Sequence, residues 1–326
     1  MRIGIAITRA AAVDPTWTTI DLACVALGRG HQVRFVEPWD FEVTPGGEVL
    51  ARTHAFDRPV TAEAMADALV NRTAIRRYVD IARLDLLLLR AAPLDAAVLT
   101  FAGLAAERGV PVVNPPGSVL KVSHKAWLAS LPGVRTPPTL VTRSTGAAIA
   151  FYETQPNGVV VKPARGSGGR GVAWVVANDL PGLEASVIAA REAGDGYVVV
   201  QPYLSAADVG EKRMVWFDGR VLGGYLRRRG PNEFRHNLSR GGTAEPCRAA
   251  RADLAAIATV TPHLLRSGIR LAGLDLIGGL ITEVNTLNPG GTFHTDRLAG
   301  TRIADTIVAA LEAIGPGAVE ENVAHG

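Results

Sequence analysis

Cysteine is nearly missing from this chain. There are two in 326 residues, Cys24 and Cys247, and they form no Cys-x-x-Cys pair. Their scarcity excludes a disulfide framework and argues against a cysteine zinc centre or dithiol chemistry. It also suits a reducing, cytoplasmic setting. Cys24 lies in an apolar run of helical spacing and is expected in the core. Aromatic residues make up 6% of the chain, too few for a base-stacking platform, so no nucleic-acid partner is expected. Charge of one sign is not in large excess, the formal balance being +3. The short run Arg227-Arg228-Arg229 reads either as a solvated face or as an anion site. The apolar start, Arg2-Ile-Gly-Ile-Ala-Ile7, turns polar too soon for a signal peptide or a membrane span, and no membrane partner is expected.

The rest is the composition of a soluble globular protein, 48% hydrophobic and 20% charged, long enough for two or three packed units. Residues 3–7 read as a buried strand, 18–27 as a helix ended by Gly28-Arg-Gly30, and 32–36 as a second strand. That is a parallel α/β opening. Residues 38–59, rich in Pro, Gly and charge, read as an excursion. The run 84–89 is a buried strand, 96–108 a helix and 110–113 a strand broken by Asn114-Pro-Pro-Gly117. Beyond Pro137 short β runs alternate with helices, at 139–142, 159–162, 172–176 and 198–201. Then come hairpin-like pairs, 213–217 with 221–226 and 272–277 with 280–285, around a helix at 250–265. Three segments follow: an N-terminal α/β domain (1–120), a small central α+β lid (121–201) and a β-rich C-terminal domain (202–326).

Two motifs carry chemistry. In Val160-Val-Lys162-Pro-Ala-Arg165-Gly-Ser-Gly-Gly-Arg-Gly171-Val, the glycines Gly166, Gly168 and Gly171 match G-x-G-x-x-G. A dinucleotide fingerprint requires a helix next, and β-like residues follow instead. A glycine loop between strands can fold over phosphates, its backbone amides approaching closely, with Lys162 in reach of an oxygen. The plain alternative is a flexible hairpin tip. The second motif runs from Gly273 to Asn285, two apolar strands joined at Gly278-Gly279. Glu283 and Asn285 share a face, and pairing around the turn can bring Asp275 close to it. Two carboxylates and an amide oxygen suit Mg²⁺, with Mn²⁺ as an alternative. The plain alternative is a surface hairpin with ordinary acids.

A flap lysine, a glycine loop between strands and a late Asp…Glu-x-Asn hairpin together resemble the ATP-grasp superfamily. Within it the chain is similar to prokaryotic glutathione synthetase and related RimK-type carboxylate–amine ligases. The resemblance implies that Lys125 and Lys162 contact nucleotide phosphate beneath a flap of Gly166, Ser167, Gly168 and Gly169. It implies that Gln201, Tyr203 and Leu204 form the adenine hinge and that Glu211 lies on the ribose side. Arg213, Arg227, Arg235 and Asn237 are implied near the reacting acyl phosphate, and Asp275, Glu283 and Asn285 as metal ligands. Thr18, Arg90, Gly241 and Gly242 are implied to contact substrate. Ala91-Ala-Pro93-Leu-Asp95 departs from the family's Lys-Asp-Pro-Pro character, and Asn288-Pro-Gly-Gly291 resembles a Ser-Pro-Gly-Gly variant.

The implied activity is ATP-dependent, ADP-forming amide synthesis through an acyl phosphate, with γ-glutamylcysteine and glycine as one substrate pair. Another acid and amine, of peptide or specialised-metabolite type, is the alternative. A nucleotide-binding protein without ligation and a phosphotransferase are rivals from other classes. The expected partners are small-molecule or peptide carboxylates and amines, and a homo-oligomer is expected.

Overall fold

The structure is a computed structural model, and it describes residues 1–314 except 167 and 232. The chain groups into two compact units. One comprises residues 1–119, 267–271 and the chain from 286 onward; the other comprises 120–266 and 272–285.

The first unit opens as its sequence suggests. β1 (Arg2–Ala6), α1 (Thr18–Gly28) and β2 (Gln32–Val36) form a parallel strand–helix–strand unit. Residues 38–59 are not a mere excursion. They contain β3 (Phe41–Val43) and β4 (Val49–Phe56), and β4 joins β2 antiparallel. The strand is hard to recognise because Arg52, Thr53 and His54 sit at its centre. Two of these polar groups are satisfied internally: Thr53 Oγ1 donates to the Arg77 carbonyl, and buried His54 meets Glu37 Oε2 at 3.3 Å. After α2 (Ala62–Val70), β5 (Ile75–Asp80) pairs with β4. β6 (Leu86–Leu89), α3 (Ala96–Glu107) and β7 (Val112–Val113) complete a sheet of order β3-β4-β2-β1-β6-β7, with β5 on β4. β6 is buried on both faces, as a central parallel strand must be. Cys24 is half-buried rather than in the core.

α4 (Pro116–Val122) leads to α5 (Lys125–Ala129), two short helices that the sequence reading passed over. The second unit then carries two sheets. β8 (Leu140–Thr142), α6 (Thr145–Glu153), β9 (Val159–Pro163), β10 (Ala173–Val175), α7 (Leu180–Glu192) and β11 (Val198–Pro202) give a four-stranded antiparallel sheet, order β10-β9-β11-β8. Its valines alternate inward: Val159 and Val161 pack with Val198, Val200, Leu183 and Val187 in one buried cluster. Truncating a core side chain such as Leu183 to Ala costs about 2–5 kcal/mol. Ser144 caps α6 through the Ala147 amide, and Asp179 caps α7 through Gly182.

β12 (Glu211–Phe217), β13 (Arg220–Arg228), β14 (Thr243–Pro246), α8 (Arg251–Arg266), β15 (Leu271–Ile277) and β16 (Leu280–Asn285) supply the second sheet, order β14-β13-β12-β15-β16. The β15–β16 turn is Gly278-Gly279, with φ of 58° and 76°. Two successive positive φ values make the tight hairpin turn that matches strand twist, and glycine adopts them without strain.

The chain then returns to the first unit with α9 (Thr292–Ala299) and α10 (Ile303–Glu312). Asn114 explains the return. Its Oδ1 accepts from the amides of Arg270 and Leu271, and its Nδ2 donates to the carbonyls of Leu271 and Thr286. A buried amide with all four positions used is a strong tie. Residues from 286 onward therefore belong with the N-terminal fold, where the sequence division had grouped them with 202–285.

Candidate active site

A cleft in the second unit gathers most of the residues singled out from sequence. Its empty space, open solvent included, is about 1070 Å³. Lys125, Lys162, Gly166, Gly168 and Gly169 line it, as do Gln201, Tyr203, Leu204 and Glu211. So do Arg213, Arg227, Arg235 and Asn237, and the hairpin trio Asp275, Glu283 and Asn285. Ser167 lies outside the described residues. Gly241 and Gly242 do not line the cleft. A Cβ on Gly242 would meet three backbone carbonyl oxygens at about 3 Å, so this glycine serves close packing. Thr18 and Arg90 belong to the first unit and do not line the cleft.

The floor of the cleft is a charge lattice. Asp275 pairs in register with Glu283 across the hairpin. Arg213 grips Asp275 with two bonds, Nε to Oδ1 at 2.6 Å and Nη2 to Oδ2 at 2.8 Å. Arg227 Nη2 bridges Asp275 Oδ1 and Glu211 Oε2, each at 2.7 Å. Asn285 Nδ2 donates to Asp275 Oδ2 at 3.1 Å. Lys125 Nζ meets Glu283 Oε1 at 3.0 Å and donates to the Gly166 carbonyl, which ties it to the glycine loop. Lys162 Nζ donates to the Thr282 carbonyl.

Burial and charge pull these groups in different directions. Burial opposes ionisation of Asp275, but Arg213 and Arg227 outweigh it and hold the carboxyl well below the usual range. Glu211 goes the other way: burial raises its pKa, and Asp275 and Glu283 add repulsion that Arg227 only partly offsets. Burial lowers the pKa of Lys162, with Glu283 acting against the shift. Four cations therefore face three carboxylates over one floor, a balance that favours an anionic ligand.

The trio tolerates a divalent cation on chemical grounds. Two carboxylates and an amide oxygen are hard donors, and the mutual repulsion of Glu211, Asp275 and Glu283 is what such a cation relieves. Both Asp275 oxygens already accept from arginine, so a metal there shares them or displaces a guanidinium. Among the described residues, the His, Cys, Asp or Glu grouping of three whose ligand atoms all lie within 4.8 Å of one another is not this one but Glu37, Asp40 and His54 in the first unit. Arg76 already fills it, its Nη1 lying against His54 Nε2 and its Nη2 donating to Asp40 Oδ1.

The glycine loop spans from β9 to β10 as a flap between paired antiparallel strands. Gly168 and Gly169 both have positive φ, and a Cβ on Gly169 would lie 2.7 Å from Asn237 Oδ1. Arg235 Nη1 and Arg240 Nε donate to the carbonyls of Gly169 and Gly168, holding the loop. Arg235 also grips Glu233. Tyr203 donates its hydroxyl to Asp208 and stacks its ring on Trp174 at 4.3 Å.

Sequence reasoning missed Thr282, which donates from its hydroxyl to the Asp275 carbonyl and gives its own carbonyl to Lys162. It also missed the apolar wall of Val160, Val172 and Ile277. The alternation of Val160 within β9 and of Ile277 within β15 was visible, but not which face they present.

The surroundings of Arg90 in the first unit are built differently. Arg90 is 4% exposed. Its Nε donates to Thr19 Oγ1 at 3.1 Å, while Nη1 is buried without a partner. Among the described residues no carboxylate pairs with it, and burial alone pushes its pKa down to about 9. Thr18 Oγ1 accepts from the amides of Gly291 and Thr292, fixing the start of α9.

The prokaryotic glutathione synthetase ATP-grasp domain matches residues 124–300. The glutathione synthetase of Prochlorococcus marinus (strain MIT 9313) is 35% identical over 212 residues, 64% of this chain and 67% of that protein. That of Salmonella typhimurium (strain LT2) is 31% identical over 281 residues, 83% of this chain and 85% of that protein. Among solved structures, D-cycloserine synthetase DcsG superposes with a TM-score of 0.67 at 18% identity, covering 95% of this chain and 99% of that one, a likeness of fold. No helix among the described residues is long and apolar enough to cross a membrane. The chain belongs to the prokaryotic glutathione synthetase family of ATP-grasp, ADP-forming carboxylate–amine ligases.

Proposed function

We propose that the cleft of the second unit binds ATP with Mg²⁺ and phosphorylates a substrate carboxylate, and that an amine then captures the acyl phosphate. The observation that carries this reading is the charge lattice beneath a glycine flap: Lys125, Lys162, Arg213 and Arg227 around Glu211, Asp275 and Glu283. A carboxylate does not react with an amine in water, because its oxygen is a hopeless leaving group until phosphorylated.

In this reading the adenine lies along Val160, Gln201, Leu204 and Ile277, and Glu211 serves the ribose side. Lys125, Lys162 and the loop amides hold the phosphates. Asp275, Glu283 and Asn285 would hold Mg²⁺, which would supply positive charge against the charge that develops on the transferring phosphoryl group. Arg213, Arg227 and Asn237 would stabilise the oxyanion formed when the amine attacks; one such donor is worth about 10²–10³ in rate. Arg235 helps hold the flap, whose closure keeps water from the acyl phosphate. No protein nucleophile takes part.

Arg90, with its unpartnered Nη1, is assigned a carboxylate of the acyl substrate, and Thr18 is assigned to the same substrate. The substrate pair γ-glutamylcysteine and glycine is the first to test. Residues 121–201 are read as the lid and 202–285 as the metal-bearing part. A homo-oligomer in the cytoplasm completes the proposal.

The test is ADP release with ATP, Mg²⁺ and γ-glutamylcysteine plus glycine, then with arrays of other acids and amines, with mass spectrometry of the product. Dependence of ADP on both an acid and an amine is expected. Glu283→Gln is expected to lower it by about 10²-fold or more. ADP formation that no acid–amine pair stimulates would overturn the reading.

A further inference from the structure

Lys125 is the first residue of a five-residue helix, α5. So short a helix cannot hold itself, because nucleation is unfavourable and most of its amides lack internal partners. Its ammonium nevertheless has to stand at a fixed point between Glu283 and the Gly166 carbonyl. What fixes it is the residue before it.

His124 is the N-cap, and histidine is not among the usual residues there. Its Nδ1 accepts from the Ala126 amide at 3.1 Å. An imidazole nitrogen can accept only if it carries no proton, so the proton must sit on Nε2. Asp195 enforces that tautomer, with Oδ2 at 3.0 Å from His124 Nε2. The carboxylate of Asp195 is anchored in turn. Its Oδ1 accepts from the Tyr197 amide, and Arg165 Nε lies 3.6 Å from its Oδ2. Arg165 reaches back to Ser123 Oγ and the Leu120 carbonyl. The Lys125 amide itself donates to the Ala164 carbonyl at 3.0 Å.

The result is a clasp of three segments: the turn before α5, the root of the glycine loop at Ala164-Arg165, and the turn before β11. Each is tied to the other two, and Lys125 projects from the middle. The chemistry of the clasp is a carboxylate that selects a tautomer, a tautomer that caps a helix, and a helix that aims an ammonium.

We propose that the His124–Asp195 pair is a positioning device that sets Lys125 and the root of the glycine loop for nucleotide phosphate. This rests on the reading of Lys125 as a phosphate ligand. His124 touches neither substrate nor metal; it acts through Lys125.

The test measures dissociation constants for ADP and a non-hydrolysable ATP analogue, with KM and kcat for ATP, in six full-length proteins. These are wild type, His124→Ala, His124→Asn, Asp195→Ala and Lys125→Ala, together with the double variant His124→Ala/Lys125→Ala. His124→Ala is expected to weaken nucleotide binding and raise KM about 2- to 30-fold, the span of a lost N-cap, with kcat changed less. Asn restores a side-chain cap, so His124→Asn is expected to recover most of the loss. Asp195→Ala is expected to behave like His124→Ala, and it carries the test if His124→Ala does not fold. In the Lys125→Ala background, His124→Ala is expected to add nothing, which a merely structural role does not predict. Full additivity of the two changes, or wild-type nucleotide affinity in both His124→Ala and Asp195→Ala, would overturn the proposal. Unchanged affinity in Lys125→Ala would instead remove the phosphate reading of Lys125, and this proposal with it.

Discussion

Two buried arginine sites in this chain are built on opposite rules. In the cleft of the second unit, Arg213 and Arg227 are buried against Asp275 and Glu211. In the first unit, Arg90 is buried against a threonine hydroxyl, with one nitrogen unsatisfied. A buried charge without a partner is expensive, and a buried pair roughly compensates its own desolvation. The paired lattice therefore keeps its shape without help and can wait for a nucleotide. The unpaired Arg90 is held at a cost that an incoming anion would relieve. On the function proposed above, the difference separates a site that preorganises chemistry from one that selects a substrate.

Removing the anion at one site and the cation at the other should move stability in opposite directions. Asp275→Ala leaves Arg213 and Arg227 without their shared partner, and a loss of about 3–5 kcal/mol is expected in chemical denaturation. A loss below 1 kcal/mol would mean that the lattice is solvated and not preorganised. Arg90→Met removes an uncompensated charge of similar length, and the melting temperature is expected to rise. The KM for the acid substrate is expected to rise about 10- to 150-fold, the value of a charge-assisted hydrogen bond, with the KM for ATP unchanged. A lower melting temperature with unchanged KM would break the comparison.

A third, solvent-facing cluster sharpens the contrast. Glu312 of α10 takes Arg29 and His31, at 2.6 Å each, and its hydrogen bond to Arg29 is what chiefly brings its pKa down to about 2. Its folded value lies below the ordinary 4.5. Its contribution is therefore present above that value and is lost as pH falls through about 2. Water and salt screen such a pair. Glu312→Gln is expected to lower the melting temperature slightly at pH 7, with the gap from wild type closing toward pH 2 and narrowing in high salt. A gap that widens on acidification would contradict the assignment.

Much of this was legible in the sequence where local rules decide. The parallel opening from β1 to β2 follows from two apolar strands around one helix. The β15–β16 hairpin follows from Gly278-Gly279, and the flap from glycines that precede strand-like rather than helical residues. What stayed hidden depends on partners far along the chain. β4 reads as polar because its strand character rests on Glu37 and Arg77, which satisfy His54 and Thr53. Arg213 and Asp275 lie 62 residues apart, and no periodicity announces a bidentate pair. The return of residues beyond 286 to the first unit hangs on the side chain of Asn114. Thr282 acts at the site partly through its carbonyl, which leaves no mark on residue type.

The central claim is that the substrate carboxylate is phosphorylated before the amine arrives, and oxygen transfer tests it most directly. The acid substrate identified by ADP release is labelled with ¹⁸O in its carboxylate and turned over with ATP and the amine, and the phosphate released is weighed by mass spectrometry. Activation through an acyl phosphate predicts one ¹⁸O in each phosphate, in step with ADP and amide product. Unlabelled phosphate formed alongside ADP and amide would contradict the account.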